Sequence, residues 1–270
     1  MFTRGELKSL RHPVPVCPHQ KKTIDAVQRT LRILETLRET GGAGVTTVAK
    51  ETGYSKATVH NHLATLEHEE YVVRTGDGTY ELGFRFLDLA HHARRRIGIY
   101  DLVRREVDKL AAESGEMALY TVEEHGWGVC IYRELGENAV QTPLYVGYRS
   151  ALHHTAVGKA ILAYLPRSRV EAIIKRRGLT VQTEDTITDP DQLFDELDAI
   201  RDRGFAFNRE ETIPGLVGVG APIIGQGGTV EGAISIIGPA SRMDEERFYG
   251  EIPDMITRSV NIIEINATSI

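Results

Sequence analysis

The sequence predicts an α+β protein that consists of an N-terminal winged helix-turn-helix, a linker helix and a larger domain built on an antiparallel sheet. Three segments of helical periodicity and one short hairpin follow each other within residues 22–83. From residue 100 onward, helices and short strands alternate in an order that does not form βαβ units. We therefore expect a disordered tail over 1–21, the winged domain over 22–83, the linker helix over 84–99 and the second domain over 100–270.

Length and composition exclude several classes of protein. With 270 residues, the chain is long enough for two domains that each bury a core. Its longest apolar runs, such as GAISIIGP, are too short to cross a bilayer, and its first residues carry no secretion signal. Cys17 and Cys130 are too few for a disulfide framework, which indicates a reducing compartment. We predict a cytoplasmic protein without membrane association.

The N-terminal tail contains several prolines and no helical or alternating period, which is why we expect it to be disordered. His12, Cys17 and His19 lie within it. Their spacing fits no standard zinc site, and a fourth ligand is missing. We therefore expect no metal ion and no cofactor in this protein.

The winged domain begins with an amphipathic helix that Thr23 is placed to cap. Its apolar residues recur every three or four positions and are expected to face the core: Ile24, Val27, Leu31, Leu34 and Leu37. A second helix in TTVAKETG has Thr46 as its cap, and Gly53 supplies the turn before the third helix. The third helix, in YSKATVHNHLATLEHEEY, has Ser55 as its cap. YVVRTGDGTYELG then forms the hairpin.

The third helix presents short or flexible hydrogen-bonding side chains near its N-terminus. This exposed set suits phosphate oxygens and the edges of bases: Ser55, Lys56, Thr58, His60, Asn61 and His62. We add Thr46 and Thr47 of the second helix and Arg74 at the base of the hairpin, and we predict double-stranded DNA as the partner. The alternative is that these residues form the solvated face of an ordinary helical bundle.

Net charge limits how such a domain binds DNA. The whole chain carries −6, and residues 21–83 hold eight Lys/Arg against nine Asp/Glu. Because phosphate neutralisation supplies much of the affinity for DNA, one such domain is expected to bind weakly. Two domains presented together bind more tightly, which predicts a homodimer.

The stretch LHHTAVGKAILAYLP in the second domain could belong to several kinds of site, namely a nucleotide-phosphate loop, a catalytic site, a metal site or a small-molecule pocket. It fails as a nucleotide-phosphate loop, because His153 stands where the first glycine is required and Ala160 follows Lys159 where a hydroxyl is needed. The chain has no G-x-S-x-G nucleophile elbow, and adjacent histidines do not share a helix face as zinc ligands do. GVGAPI at 218–223 lacks the third glycine of a dinucleotide fingerprint. We therefore assign no catalytic residue.

With these kinds of site excluded, LHHTAVGKAILAYLP is a loop followed by the start of a helix. Thr155 is placed to cap this helix, which leaves the backbone N–H groups of Ala156 and Val157 directed outward. Such a terminus favours a small anion, especially a carboxylate. Gly158 and Ala160 keep the first turn slim enough for a ligand. A structural loop that binds nothing is the alternative.

The order of the winged helix, the linker helix, LHHTAVGKAILAYLP, GFAFNREETIPGLVGVGAPI and GAISIIGP resembles the IclR family of transcriptional regulators over about residues 22–268. The resemblance implies a GAF-like effector domain, dimers or dimers of dimers, and a small ligand that alters operator binding. It also implies that the effector site surrounds the loop before the helix. The residues that we assign to it are His153, Thr155, Ala156, Val157, Asn208, Leu216, Gly218, Ser235 and Ile237.

Three positions depart from the pattern that the resemblance implies. Asn208 is neutral where an acid is common, Gly218 lacks the side chain of a Cys or Ser, and Ile237 stands in place of a second serine. Fewer polar groups therefore converge on the site. No particular keto acid is implied, and an aromatic or longer carboxylate fits equally well.

We interpret the protein as a sequence-specific transcriptional regulator, more typical of a repressor than of an activator, that responds to a small organic acid or aromatic metabolite. The ligand is expected to favour one arrangement of the subunits and so to change the spacing of the recognition helices. The alternative is a metabolite-binding or hydrolytic enzyme module that uses its helical N-terminus for assembly. His153 is the strongest catalytic candidate of that alternative.

Overall fold

A computed structural model describes residues 23–268. The segment before residue 23, with the predicted tail and its His12, Cys17 and His19, lies outside the described residues. The described chain falls into two compact units, of which the first reaches to Ile97 and the second begins at Gly98. The predicted α+β class, with a helix-turn-helix unit before an antiparallel-sheet unit, is confirmed.

The first unit is a helical bundle with a small hairpin. Its elements are α1 (Asp25–Thr40), α2 (Val45–Thr52), α3 (Lys56–His68), β1 (Val72–Arg74), β2 (Tyr80–Leu82) and α4 (Arg85–Arg95). The two strands pair antiparallel, with Val72 opposite Leu82. Gly53 ends α2 in the left-handed conformation at a φ of 77°, as the predicted turn requires.

Of the three helix caps that the sequence predicts in this unit, the structure contains one. Thr58 N–H donates to Ser55 Oγ at 3.1 Å, so Ser55 caps α3 as predicted. The predictions for Thr23 and Thr46 are wrong. Helix α1 begins one residue after Ile24, and Val45 is already the first residue of α2, which places Thr46 inside the first turn rather than before it.

The apolar stripe predicted for α1 is only partly buried. Ile33 and Leu37 lie in the core, whereas Ile24, Val27 and Leu31 are exposed. The N-terminal half of the helix adds no side chain to the core cluster, although Thr30 in this half contacts His62 of α3. Periodicity identifies an apolar face, but it does not say whether the same chain covers that face.

The second unit contains a six-stranded antiparallel sheet in the order β5-β4-β3-β8-β7-β6. The strands are β3 (Met117–Glu124), β4 (Trp127–Leu135), β5 (Arg149–Ser150), β6 (Ala206–Arg209), β7 (Leu216–Ile224) and β8 (Val230–Pro239). The helices are α5 (Tyr100–Ser114), α6 (Ala156–Tyr164), α7 (Arg167–Arg177), α8 (Pro190–Arg203) and α9 (Ile252–Ala267). None of the helices between residues 23 and 268 has both the length and the hydrophobicity needed to cross a bilayer.

Helices cover the sheet in two groups. Helices α5 and α9 pack on each other, and α6 packs on α8; both groups contact the central strands. Strand β7 is buried along almost its whole length, and because successive side chains of a strand point to opposite faces, both faces of the sheet are covered. Asp189 caps α8, and Pro190 occupies its first turn, where a proline is tolerated.

The start of α6 is held in close contact with the preceding loop. A Cβ atom at Gly158 would lie 2.1 Å from Leu152 O and 2.5 Å from Thr155 Oγ1. The expectation that Gly158 leaves room for a ligand is therefore wrong, because this glycine lets the helix rest directly on the backbone of Leu152. The first turn of α6 is fixed in place by that contact.

We expect Gly158→Ala to lower the free energy of unfolding of the second unit by about 1–3 kcal/mol, because the added methyl group meets backbone that cannot move aside. Denaturant unfolding followed by the fluorescence of Trp127, the single tryptophan, measures this unit. Gly250→Ala is the control, since a Cβ there meets no atom within 4 Å. Equal stability of the two variants would contradict the packing role of Gly158.

Candidate functional site

A cavity of about 820 Å³, counting its opening to solvent, lies in the second unit between the sheet and the N-terminus of α6. Its lining is mainly apolar with a few polar groups, as is usual for a pocket that takes a small organic molecule. The residues that line it come from the sheet, the α6 start and three connecting segments: Leu119, Thr121, Cys130, Pro143, Leu144, Tyr148, Ser150, His154, Thr155, Ala156, Val157, Gln182, Asn208, Thr212, Ile213, Leu216, Gly218, Ser235 and Ile237.

The floor of the cavity follows from the register of the strands. Leu119 lies opposite Ser235, Ile237 lies opposite Gly218, and Gly218 lies opposite Asn208. Because residues two apart on a strand share a face, Ser235 and Ile237 point to the same side of β8. Four neighbouring strands thus bring residues that are far apart in the sequence onto one surface.

One wall of the cavity is the N-terminus of α6. Thr155 Oγ1 accepts from Gly158 N–H at 3.0 Å, and the first turn-closing bond runs from Lys159 N–H to Thr155 O at 2.9 Å. The N–H groups of Ala156 and Val157 precede that bond and have no partner within the helix. Both residues line the cavity, so the positive end of a helix dipole borders it.

Ser235 adds a buried hydroxyl to the floor. Ser235 is fully buried, and its Oγ has no hydrogen-bond partner among the described residues. A buried hydroxyl without a partner is unfavourable and therefore calls for an explanation. Ser235 borders the cavity, and a ligand group that hydrogen-bonds its Oγ would supply the partner.

The side chains that line the cavity carry no carboxylate, ammonium or guanidinium group. Burial raises the pKa of the Cys130 thiol to about 12 and also raises the pKa of the Tyr148 phenol, so both groups are neutral near pH 7. An anion in the cavity therefore meets backbone N–H groups, hydroxyl and amide groups and the His154 ring, and no lysine or arginine side chain lines the cavity.

The structure separates the two adjacent histidines. His153 is buried but does not line the cavity, and its Nε2 lies 3.0 Å from Thr180 O. His154 lines the cavity instead, with Nδ1 3.1 Å from Thr212 Oγ1. The other residues that the sequence assigns to this site all border the cavity: Thr155, Ala156, Val157, Asn208, Leu216, Gly218, Ser235 and Ile237.

Sequence reasoning missed the residues that the connecting segments bring to the cavity. Pro143 and Tyr148 come from the segment between β4 and β5, Gln182 from the segment before α8, and Thr212 from the segment between β6 and β7. The sequence around these residues has no helical or alternating period, so it does not predict that their side chains face the cavity. Only the fold brings these segments over the same opening.

In the first unit, the residues assigned to DNA lie on α2, at the cap and along α3, and at the base of the hairpin. Lys56, His60 and Asn61 are exposed, as are Ser55, Thr46 and Thr47. Thr58 and His62 are half-buried, and His62 Nδ1 lies 2.8 Å from Thr30 Oγ1 of α1. His62 therefore interacts with the neighbouring helix as well as lying on the polar face.

The hairpin places a basic residue beside a turn that an acidic residue organises. Asp77 Oδ1 accepts from Thr75 Oγ1 at 2.6 Å and from Thr79 N–H at 3.0 Å, and these bonds lower the pKa of Asp77. Arg74 is exposed, with its guanidinium 5.6 Å from the ring centre of Tyr80. Asp77 shapes the tip, and Arg74 remains at its base.

Within residues 23–268, no group of three His, Cys, Asp or Glu side chains is placed to hold a metal ion. Cys130 is buried and is not in a disulfide. What the described chain does contain is a winged helix-turn-helix in one unit and a small-molecule cavity in the other. This combination defines a ligand-responsive DNA-binding regulator.

The comparisons with known proteins identify the family. Residues 26–76 match the IclR helix-turn-helix domain, and residues 91–263 match the bacterial transcriptional regulator IclR C-terminal domain. The chain belongs to the IclR family of transcriptional regulators, as the sequence resemblance predicts. Both its regulator function and its helix-turn-helix are those of the family, and the enzyme alternative has no support in these matches.

Individual relatives agree with this assignment. The chain is 35% identical to the "Probable HTH-type transcriptional regulator ArcR" of Halobacterium salinarum, over 91% of this chain and 95% of that protein. It is 28% identical to the "Transcriptional repressor IclR" of Escherichia coli, over 83% of each chain. The crystal structure of an IclR homologue from Microbacterium hydrocarbonoxydans, complexed with 4-hydroxybenzoate, shares the fold with a TM-score of 0.80 and 19% identity, over 91% of this chain and all of that chain.

We expect Ser235→Ala to leave the free energy of unfolding unchanged or slightly raised, because the hydroxyl it removes has no partner within the fold. The same change is expected to weaken binding of a small aromatic carboxylate such as benzoate by up to about tenfold, the worth of one hydrogen bond. Thermal unfolding and calorimetric titration measure the two effects. Loss of stability together with unchanged binding would place the hydroxyl in the core rather than in the site.

Proposed function

We propose that the protein is a homodimeric regulator whose operator binding changes when a small carboxylate with an apolar body occupies the cavity. The observation that carries this proposal is the cavity itself, with the N–H groups of Ala156 and Val157 at one end and mainly apolar walls beyond them. Backbone N–H groups at a helix start are a ready site for a carboxylate. The remaining lining residues suit the body of the ligand.

The neutral lining supports an aromatic or longer organic acid rather than a small, highly polar one. Leu119, Ile213, Leu216 and Ile237 provide apolar surface. The homologue complexed with 4-hydroxybenzoate is of the same fold. Benzoate and its hydroxylated derivatives are therefore suitable first probes for this chain.

An exposed apolar surface supports dimer formation through the first unit. Helix α4 contains no buried residue, and an isolated helix of this length is marginal in water. Phe84 and Leu87 are 87% and 65% exposed, and Val27 and Leu31 of α1 are also exposed. A second copy of the same surface would bury these side chains, and it would present two recognition helices to DNA.

The roles of the DNA-binding residues follow from their chemistry and position. Lys56, exposed at the start of α3, is proposed to neutralise phosphate, whereas Ser55, Thr58, His60 and Asn61 lie nearest the bases. Thr46, Thr47 and Arg74 are proposed to contact the backbone, and His62 to support α3 through Thr30. We further propose that the protein acts in the cytoplasm, as a repressor, like its named Escherichia coli relative.

Selection of bound fragments from a sheared genomic library by the purified protein, with retention measured over a salt series, tests the proposal. Enrichment of a few fragments with inverted-repeat half-sites is the expected result. Uniform retention that disappears at moderate salt would contradict it, because such retention reflects charge alone. A His153→Ala variant that retains ligand-responsive binding would also count against the enzyme alternative.

We expect Lys56→Ala to weaken binding to all DNA sequences and to reduce the salt slope by about 1, since it removes one phosphate contact. Asn61→Ala is expected to reduce discrimination between operator and non-operator DNA by about 1–3 kcal/mol. Fluorescence anisotropy at several salt concentrations separates the two effects. Lys175→Ala, an exposed lysine of α7, is the matched control, and wild-type behaviour of all three variants would refute the assignment of α3.

We expect Leu87→Glu to dissociate the dimer and to lower operator affinity at least about tenfold, because the charge would be buried against the second copy. Analytical ultracentrifugation gives the oligomeric state. Val181→Glu is the matched control, since Val181 is 67% exposed and belongs to the second unit. A Leu87→Glu protein that remains a dimer would show that this surface is not the interface.

A further inference from the structure

Lys159 and Glu211 form a buried ion pair directly behind the cavity. Lys159 Nζ lies 2.5 Å from Glu211 Oε1, and their side chains are 1% and 5% exposed. Burial lowers the pKa of Lys159, and the charge of Glu211 opposes that effect. Neither residue lines the cavity. The pair connects helix α6 to the segment between β6 and β7.

Glu211 organises that segment through several bonds. Its Oε1 also accepts from Arg209 N–H at 3.2 Å, and its carbonyl oxygen accepts from Thr186 Oγ1 at 2.8 Å. Its N–H donates to Asn208 Oδ1 at 2.9 Å. A backbone N–H can donate only to the oxygen of a side-chain amide. This last bond therefore fixes the orientation of the Asn208 amide, with Oδ1 toward Glu211 N–H and Nδ2 on the opposite side.

The Asn208 amide is the first member of a row of hydrogen-bonded polar groups along the cavity wall. Asn208 Nδ2 donates to Thr212 Oγ1 at 2.9 Å, and Thr212 Oγ1 donates to His154 O at 2.6 Å. The single hydroxyl proton of Thr212 is used in that bond. His154 Nδ1, at 3.1 Å from Thr212 Oγ1, must therefore be the donor, which selects the Nδ1–H form of the ring.

The same segment contains backbone strain that requires support. Glu210 has a φ of 62°, in the left-handed region that residues with a side chain rarely adopt. Its carboxylate accepts from Gly215 N–H at 2.5 Å, which closes the segment at its base. The Glu211–Lys159 pair holds the segment at its middle.

Stability alone does not account for a buried pair of this kind. Replacement of a buried ion pair by apolar residues is often neutral or stabilising, and such pairs are better attested as devices that specify one arrangement. Glu211 Oε2 is buried with no hydrogen-bond partner among the described residues, so the carboxylate is not fully satisfied. Stability is therefore not the only role to consider for this pair.

We propose that the Lys159–Glu211 ion pair is a positioning device for the effector cavity, which holds the Asn208–Thr212–His154 row in the one arrangement that reads polar groups of the ligand. The inference rests on the effector site proposed above. Lys159 and Glu211 do not touch the ligand, and they act through Asn208, Thr212 and His154.

The test uses the full-length protein with the double substitution Lys159→Met and Glu211→Leu, which removes both charges together. Two readouts are needed: the ¹⁵N shifts of the His154 ring without ligand, and the Kd of 4-hydroxybenzoate. We expect cooperative unfolding, a ring that no longer rests in the Nδ1–H form, and a Kd raised at least about tenfold. Thr212→Val, which interrupts the row directly, is expected to reproduce the loss of binding.

Lys109→Met is the matched control, because Lys109 Nζ also pairs with a buried carboxylate, Glu106, at 2.6 Å but lies on α5. It is expected to change neither readout. A double variant with wild-type His154 shifts and wild-type Kd would overturn the inference. If the double variant does not fold, Glu211→Gln, which keeps the side-chain volume, is judged by the same two criteria.

The two readouts also separate this inference from the proposed function. If the wild-type protein binds neither 4-hydroxybenzoate nor benzoate, the proposed choice of ligand class fails. The His154 shifts still decide whether the ion pair sets the cavity wall, because they are measured without any ligand. Wild-type shifts in the double variant would overturn the positioning role in that case too.

Discussion

The effector domain depends on one close approach, in which the first turn of α6 rests on the backbone of Leu152 and on strand β7. A Cβ at Gly158 would lie 2.1 Å from Leu152 O, and a Cβ at Gly220 would lie 2.9 Å from Val157 N. Two glycines therefore allow a helix start to reach the surface of a sheet. The cavity exists because the helix end, rather than a helix side, faces that surface.

This arrangement explains why the cavity is neutral and yet suited to an anion. The N–H groups of the first turn carry partial positive charge without a charged side chain. The full charges stand one layer behind, where Lys159 and Glu211 neutralise each other. In the proposed function, a ligand is recognised by fixed dipoles, whose directions depend on the packing of the helix and on the segment that holds Thr212.

The sequence predicts well those features that depend on neighbours along the chain. The caps formed by Ser55 and Thr155 and the hairpin of the winged domain are local, and they are found as expected. Features that depend on distant contacts do not follow from the residue pattern itself, and the residues of β6, β7 and β8 at the cavity were assigned only through the family resemblance. Lys159 meets a carboxylate 52 residues away, and the exposed half of α1 could be recognised only once the size of the core was known.

The most direct test of the proposed anion site is a titration of ¹⁵N-labelled protein with benzoate, followed at the backbone amides of Ala156 and Val157. We expect saturable shifts of both amides, because their N–H groups are proposed to hold the carboxylate. Benzamide, which has nearly the same shape but no charge, is expected to leave them almost unmoved. Saturable shifts elsewhere in the cavity with Ala156 and Val157 unchanged, or equal shifts with benzamide, would contradict the claim that the start of α6 is the anion site.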